Sequence, residues 1–260
     1  MWRARVPDPV QVKLFKAARE RFDLRPLAIH ANYLINLASL DPTVRANSIA
    51  AFRGEMERAI AIGAEYLVVH PGSSKGQSVE DSIRAVALGL NEAAEKLRIS
   101  GLTVLLENTA GSGACLGSRL EELRSLREAA LELTYLPIGY CLDTCHLLAA
   151  GFDIASEAGL RSTILAIQRS IGLAHVHLIH ANDSKTPRGS RVDRHAHIGA
   201  GHIGPEGFRR ILTHPQLRRK PFILETPIDN PGDDRRNLET LKRLADRFES
   251  QPRRDRAARN

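Results

Sequence analysis

Thr103-Val104-Leu105-Leu106-Glu107 is a short, β-rich apolar run that ends on a carboxylate, with Gly101 before it and Asn108 and Gly111-Ser112-Gly113 after it. It reads as a buried strand feeding a glycine-rich loop. Outward in both directions the design recurs: Leu27–His30, Tyr66–His70, Gly139–Asp143, His175–His180 and Phe222–Glu225 are runs of the same kind. Between them lie stretches of helical period at 42–62, 78–98, 118–133, 155–170, 205–213 and 234–249, with another at 8–22 before the first run. Asp41-Pro42, Ser78 and Gly204-Pro205-Glu206 supply helix-start signals, since proline is tolerated in a first turn. The alternation predicts an α/β fold, βα units around a parallel sheet. Residues 184–204 form one long strand-free insertion, a length of loop that usually carries function or disorder.

The chain has 260 residues, 43% hydrophobic and 26% charged, which excludes a disordered, collagenous or disulfide-stapled class. No Pro/Gly/Ser linker interrupts it, so one domain is expected over 1–250, with 251–260 a basic disordered tail. Net charge is +7, and residues 247–260 carry five arginines against two acids, so the basic excess is only partly a tail. Such a balance suits a polyanionic partner, although it also simply confers solubility. The apolar stretch Leu27–Leu37 is broken by His30, Asn32 and Asn36, short of the roughly 18 residues a spanning helix needs. Met1-Trp2-Arg3-Ala4-Arg5 shows no apolar signal core, and Cys115, Cys141 and Cys145 make no disulfide framework. The expectation is a cytoplasmic protein with no membrane contact and no obligate protein partner.

Each predicted strand ends on a residue able to bind a metal or move a proton: His30, His70, Glu107, Asp143, His180 and Glu225. A single strand-end histidine is more often just hydrogen-bonded to backbone. Six in succession are different, because in a parallel α/β barrel all strand ends gather at one mouth. Carboxylates packed together there need cations, and mixed nitrogen and oxygen donors suit zinc or manganese. Asp143-Thr144-Cys145-His146 adds His146 as the chain leaves its strand, and Asp193-Arg194-His195 adds two donors on one side of an extended segment. Nine candidate ligands are too many for one tetrahedral site and fit two or three ions if a carboxylate bridges. Cys145 reads as a buried, non-coordinating thiol.

Other signals weigh less. Gly199-Ala200-Gly201-His202-Ile203-Gly204 matches the dinucleotide fingerprint as text but follows no strand, so it reads as a turn-rich loop end. Gly111-Ser112-Gly113 reads as a flexible loop at the mouth. His175 and His177 point either into the core or towards a helix, and His197, His202 and His214 have no assigned partner.

The ordered words His70-Pro71-Gly72-Ser73, Leu106-Glu107-Asn108-Thr109-Ala110-Gly111, Leu142-Asp143-Thr144-Cys145-His146, His180-Ala181-Asn182-Asp183-Ser184-Lys185, Gly189-Ser190-Arg191-Val192-Asp193-Arg194-His195 and Leu224-Glu225-Thr226 resemble the endonuclease IV family of apurinic/apyrimidinic DNA-repair nucleases. The resemblance runs from about His30 to Glu225. It implies a TIM (β/α)8-type barrel with three metals, usually zinc, at the C-terminal mouth. By the same resemblance one ion is held by His30, His70 and Glu107, a second by Glu107, Asp143, His180 and Glu225, and a third by His146, Asp193 and His195. The implied reaction is hydrolysis of the phosphodiester 5′ to an abasic site in double-stranded DNA, giving a 3′-hydroxyl and a 5′-deoxyribose phosphate, with Glu107 orienting or deprotonating water. Tyr33 matches a tyrosine of a DNA-contacting loop, packing being its other role. Lys185, Arg191 and Arg194 are candidate phosphate contacts or solvated loop charges. Against the family's eight strands only six are recognisable, so the barrel is expected to be incomplete, lacking the first βα unit and second strand. Two rivals stand beside this reading: a sugar isomerase or epimerase on a related barrel, and a degenerate DNA- or partner-binding protein without turnover.

Overall fold

A computed structural model describes residues 6–246. Met1–Arg5, the tail assigned to 251–260 and the last residues of the helix predicted over 234–249 lie outside them. Along the chain, α1 (Pro9–Arg21) precedes β1 (Ala28–His30), α2 (Pro42–Ile62), β2 (Tyr66–Val69), α3 (Val79–Ala94), β3 (Thr103–Glu107) and α4 (Leu120–Leu133). Then come β4 (Ile138–Asp143), α5 (Thr144–Ala149), α6 (Glu157–Ser170), β5 (Val176–His180), β6 (Asp183–Ser184), β7 (His195–Ala196), α7 (Gly204–Thr213), β8 (Phe222–Ile223) and α8 (Asp233–Asp246). The start signals act as expected: the Asp41 carboxylate accepts from the amides of Thr43 and Val44, and Ser78 caps α3 through the amide of Asp81. The third helix stops at Ala94, short of the predicted 98. Arg53 donates to the carbonyls of Ala93 and Glu95, and the Tyr135 hydroxyl to those of Ala94 and Leu97, so the helix end is satisfied without another turn.

Six strands run parallel in the order β1-β2-β3-β4-β5-β8, forming an incomplete TIM barrel. Alternation along each strand sorts the side chains into two layers. Leu67, Val69, Val104, Leu106, Tyr140, Leu142, Val176 and Ile179 join the main core shared with the helices. Val68, Leu105, Cys141 and Leu178, flanked by Ala28, Tyr66 and Ile223, form a separate inner cluster. Six of these inner residues stand two positions before His30, His70, Glu107, Asp143, His180 and Glu225, so the period of two sets all six on the layer above. A register shift between Tyr140 and Cys141 leaves His177 as the extra residue of β5. Its ring packs on Tyr66, 5.8 Å between centroids, and lies over Gly139, where a Cβ would come within 2.3 Å of the His177 Cδ2. His175 turns instead towards Arg127, 3.3 Å away.

The 184–204 stretch is not strand-free: β6 and β7 pair antiparallel, setting Ser184 opposite His195. Two-residue strands carry too little periodicity to be read from sequence. Beyond them, the buried Asp183 carboxylate accepts the amides of Ser184, Gly199, Gly201, Ile203 and Gly204. A Cβ on residue 201 would stand 2.3 Å from the carbonyl of Ser184, so glycine is required there. The glycine-rich 199–204 loop thus wraps a carboxylate of its own chain. Asp183→Ala would strand those amides, each costing about 1–3 kcal/mol when buried and unpaired. Thermal unfolding of the metal-free variant is expected to show a loss of at least ~3 kcal/mol. A loss below ~1 kcal/mol would mean the carboxylate does not organise the loop.

Candidate metal centre

Strand ends bring six of the nine candidate ligands to one mouth, with corrections at two. His70 and Glu225 stand just past β2 and β8 rather than on them. Asp143 passes straight from β4 into α5 and caps it, its Oδ1 accepting the His146 amide at 2.8 Å, so His146 faces back over the mouth. The β6–β7 pair delivers Asp193 and His195 from above.

Glu107 is the hub. One of its oxygens lies 2.9 Å from His30 Nε2 and 3.2 Å from His70 Nε2, and the other 2.9 Å from His180 Nδ1. His180 Nδ1 is also 3.0 Å from Glu225 Oε2. His146 Nε2 stands 3.1 Å from Asp193 Oδ2, and His195 Nε2 stands 3.3 Å from Asp193 Oδ1 and 3.7 Å from Asp143 Oδ2. Among the described residues, donor atoms within 4.8 Å of one another form the sets His30–His70–Glu107, Glu107–Asp143–His180–Glu225, Glu107–Cys141–His180, Asp143–His146–His195 and Cys145–Asp193–His195. The first two bring together the same residues as the first two ligand sets the resemblance implies. The expected third set, His146, Asp193 and His195, is instead spread over two overlapping groups joined through His195.

Two tests favour cations in this cage. Two donors on one tetrahedral zinc, with bond lengths near 2.0–2.2 Å, stand about 3.3 Å apart, and the separations in the cluster, 2.9 to 3.7 Å, bracket that value. The second test is the imidazole orientation. His30, His146 and His195 each engage a backbone carbonyl through Nδ1, those of Ala31, Asn108 and Glu225 respectively, leaving Nε2 to face the cavity. The Nε2 atoms of His146 and His195 are buried with no hydrogen-bond partner. A buried polar atom left unpaired is costly, whereas a backbone-held imidazole with its second nitrogen free is how histidines ligate metals.

Without cations the cage is held by charge pairing. Burial pushes the Glu107 carboxyl up, but His180, His30 and His70 hold it well below the carboxylate range. Burial opposes protonation of His146, yet Asp143, Asp193 and Glu107 carry it up to about 10. His180 is likewise raised against its burial, chiefly by Glu107. Burial pushes the thiols of Cys141 and Cys145 up to about 12, so both remain protonated at neutral pH, although they lie within reach of the donors.

Exposure is one-sided. Glu107 and Asp143 are fully buried, whereas the side chains of His30, His70 and Asp193 keep 31%, 34% and 46% of their exposure. The cavity therefore opens between β1, β2 and the 193–195 segment. Tyr33, three residues past His30, is 83% exposed and so is not packed within the chain. Lys185, Arg191 and Arg194 are exposed, on the loop that carries Asp193. Arg191 takes a left-handed backbone (φ 56°), with its carbonyl accepting from Ser112, which ties this loop to the one after β3. Sequence reasoning passed over Asn108, Asn182 and Asp183, all buried. Asn108 follows β3 directly and Asn182 and Asp183 lie two and three residues past β5, but a polar residue there becomes informative only once its partners are known.

The fold is that of the class described as xylose isomerase-like TIM barrel, whose sequence pattern matches residues 2–247. Within it, the "Probable endonuclease 4" of Solibacter usitatus is 71% identical over 245 residues, 94% of this chain and 84% of that protein. The crystal structure of endonuclease IV from Thermus thermophilus superposes with a TM-score of 0.82 at 38% identity, covering 95% of this chain and 86% of the other. The chain belongs to the endonuclease IV family. A D-tagatose 3-epimerase-like protein shares the fold alone, with a TM-score of 0.70 at 23% identity over 93% of this chain and 85% of that one.

Proposed function

We propose that the chain is a metal-dependent DNA-repair endonuclease that hydrolyses the phosphodiester 5′ to abasic sites in double-stranded DNA, leaving a 3′-hydroxyl and a 5′-deoxyribose phosphate. The observation that carries the reading is the connected nine-residue cage, in which His146 Nε2 and His195 Nε2 face Asp193 without a well-directed hydrogen bond, in a chain 71% identical to a probable endonuclease 4. Zinc, about three ions per chain, fits the nitrogen-rich donor set, with manganese the alternative. Such ions neutralise phosphate charge, activate water near neutral pH and stabilise a departing oxygen.

The chain's own residues supply the rest. His30 and His70 hold the outer edge of the cage, Asp143, His180 and Glu225 its floor, and His146, Asp193 and His195 its roof. Glu107 touches both the edge and the floor groups, so it orients the attacking water and accepts its proton. Lys185, Arg191 and Arg194 bind the DNA backbone, a charge-based contact that weakens with salt. Three unpaired cysteines suit the reducing cytoplasm. Among the described residues no helix is long and apolar enough to cross a membrane.

A sugar isomerase or epimerase shares the fold but has no use for the roof group over the floor. The test is cleavage of an oligonucleotide carrying one abasic-site analogue, with metal content measured on the same preparation. Incision on the 5′ side with about three ions per chain supports the reading. Intact DNA from protein holding one ion sinks it. Tyr33→Ala is expected to raise KM for abasic DNA about 5- to 150-fold, since stacking on a base is worth about 1–3 kcal/mol. Stability should move by less than ~0.5 kcal/mol, as befits an exposed residue. An unchanged KM would exclude Tyr33 from the DNA interface.

A further inference from the structure

Asn182 is wholly buried, two residues past His180, and its amide meets two candidate ligands at once. Its Nδ2 donates to Asp143 Oδ2 at 2.5 Å and to Glu225 Oε2 at 3.3 Å, while its Oδ1 accepts the Glu225 amide at 2.8 Å. The amide orientation follows from the partners, because carboxylates only accept and a backbone N–H only donates. Asn182 is itself fixed: its amide donates to Thr144 Oγ1 at 2.9 Å, and that hydroxyl donates to the Asn182 carbonyl at 2.7 Å. Asn108 works alongside. Its Oδ1 accepts the Asp143 amide at 2.7 Å and its Nδ2 donates to the Asp143 carbonyl at 3.2 Å, pinning the backbone whose side chain Asn182 holds.

We infer that Asn182 is a positioning residue that sets the spacing and orientation of Asp143 and Glu225 for one ion, the one held by the floor of the cage. Asp143 at the end of β4 and Glu225 just past β8 stand on either side of β5, and two carboxylates brought this close repel each other. A neutral amide donating to both holds them together without adding charge, and it takes up one lone-pair direction on each, leaving a defined remainder for a cation. No other neutral side chain of similar size offers two N–H donors and an acceptor in this geometry. Partners that orient ligands in this way typically contribute about 10- to 100-fold to metal affinity.

The inference rests on the proposed metal site, and its test separates the two. Wild-type protein, Asn182→Ala and Asn182→Leu are stripped of metal, checked for folding by thermal unfolding, and titrated with cobalt(II) and zinc against a competing chelator. The leucine variant preserves the buried volume should the alanine variant not fold. One class of ion should bind about 10- to 100-fold more weakly, with a changed cobalt visible spectrum, while the remaining ions bind as in wild type. The turnover rate at saturating DNA should fall with KM unchanged. Equal affinity for every ion, or uniform weakening of all of them, overturns the role of Asn182. Wild-type protein that binds no divalent ion overturns the metal site itself, and the inference with it.

Discussion

Glu107→Gln is expected to reduce cleavage of abasic-site DNA by at least ~10³-fold, while the protein stays folded and still binds the DNA. Glutamine keeps the length and shape of a fully buried side chain, so the change is one of charge. The carboxylate faces His30 and His70 with one oxygen and His180 with the other. An amide can present an acceptor to only one of those groups and sets an N–H against the other. On the proposed mechanism it would also lose the anion that would attract the cations and the base that would receive water's proton. General-base loss alone is worth about 10²–10⁴-fold, and weakened bridging adds to it. DNA affinity should stay within about tenfold of wild type, because the proposed phosphate contacts lie on the exposed 185–194 loop. Single-turnover cleavage and a gel-shift titration on one preparation check both halves. Wild-type rates from the variant would remove Glu107 from the mechanism.

That residue was legible in the sequence for a simple reason. Leu105 and Glu107 alternate on one strand, so an inner apolar residue followed two positions later by a carboxylate marks the mouth of a barrel. The same step links Ala28 to His30, Val68 to His70, Cys141 to Asp143, Leu178 to His180 and Ile223 to Glu225. Seven helices and six strands announced themselves through period and capping. Less legible was everything shorter than one period. The six-residue α5 and the two-residue β6 and β7 hold His146, Asp193 and His195 in place, yet none is long enough to show alternation. Asn108, Asn182 and Asp183 stayed silent for another cause: a neutral amide, or a carboxylate satisfied by backbone, becomes informative only once its partners are known. The sequence words around them carried the family resemblance, but the work of each side chain is visible only in three dimensions.

Exhaustive chelation is expected to abolish cleavage entirely and to lower the melting temperature without unfolding the chain at 25 °C. The cage can survive emptying because protons replace cations: His146, carried up to about 10, and His180 stay charged against Glu107, Asp143 and Asp193 at neutral pH. Those proton-mediated pairs compensate the buried carboxylates only partly, since the Nε2 atoms of His146 and His195 still lack hydrogen bonds. Returning zinc should therefore stabilise the fold by about 4 kcal/mol for each site filled at 1,000-fold over its dissociation constant. At about 2–4 °C per kcal/mol for a chain near this size, one filled site raises the melting temperature by roughly 10 °C. Rebinding must also expel protons, because an imidazole ligates through the lone pair its proton occupies. Calorimetric titrations in buffers of different ionisation enthalpy would count them, and at least one proton per chain is expected at pH 7. Zinc uptake without proton release would place the ions away from these histidines. An unshifted melting temperature with full activity in chelator would remove metal from the chemistry altogether.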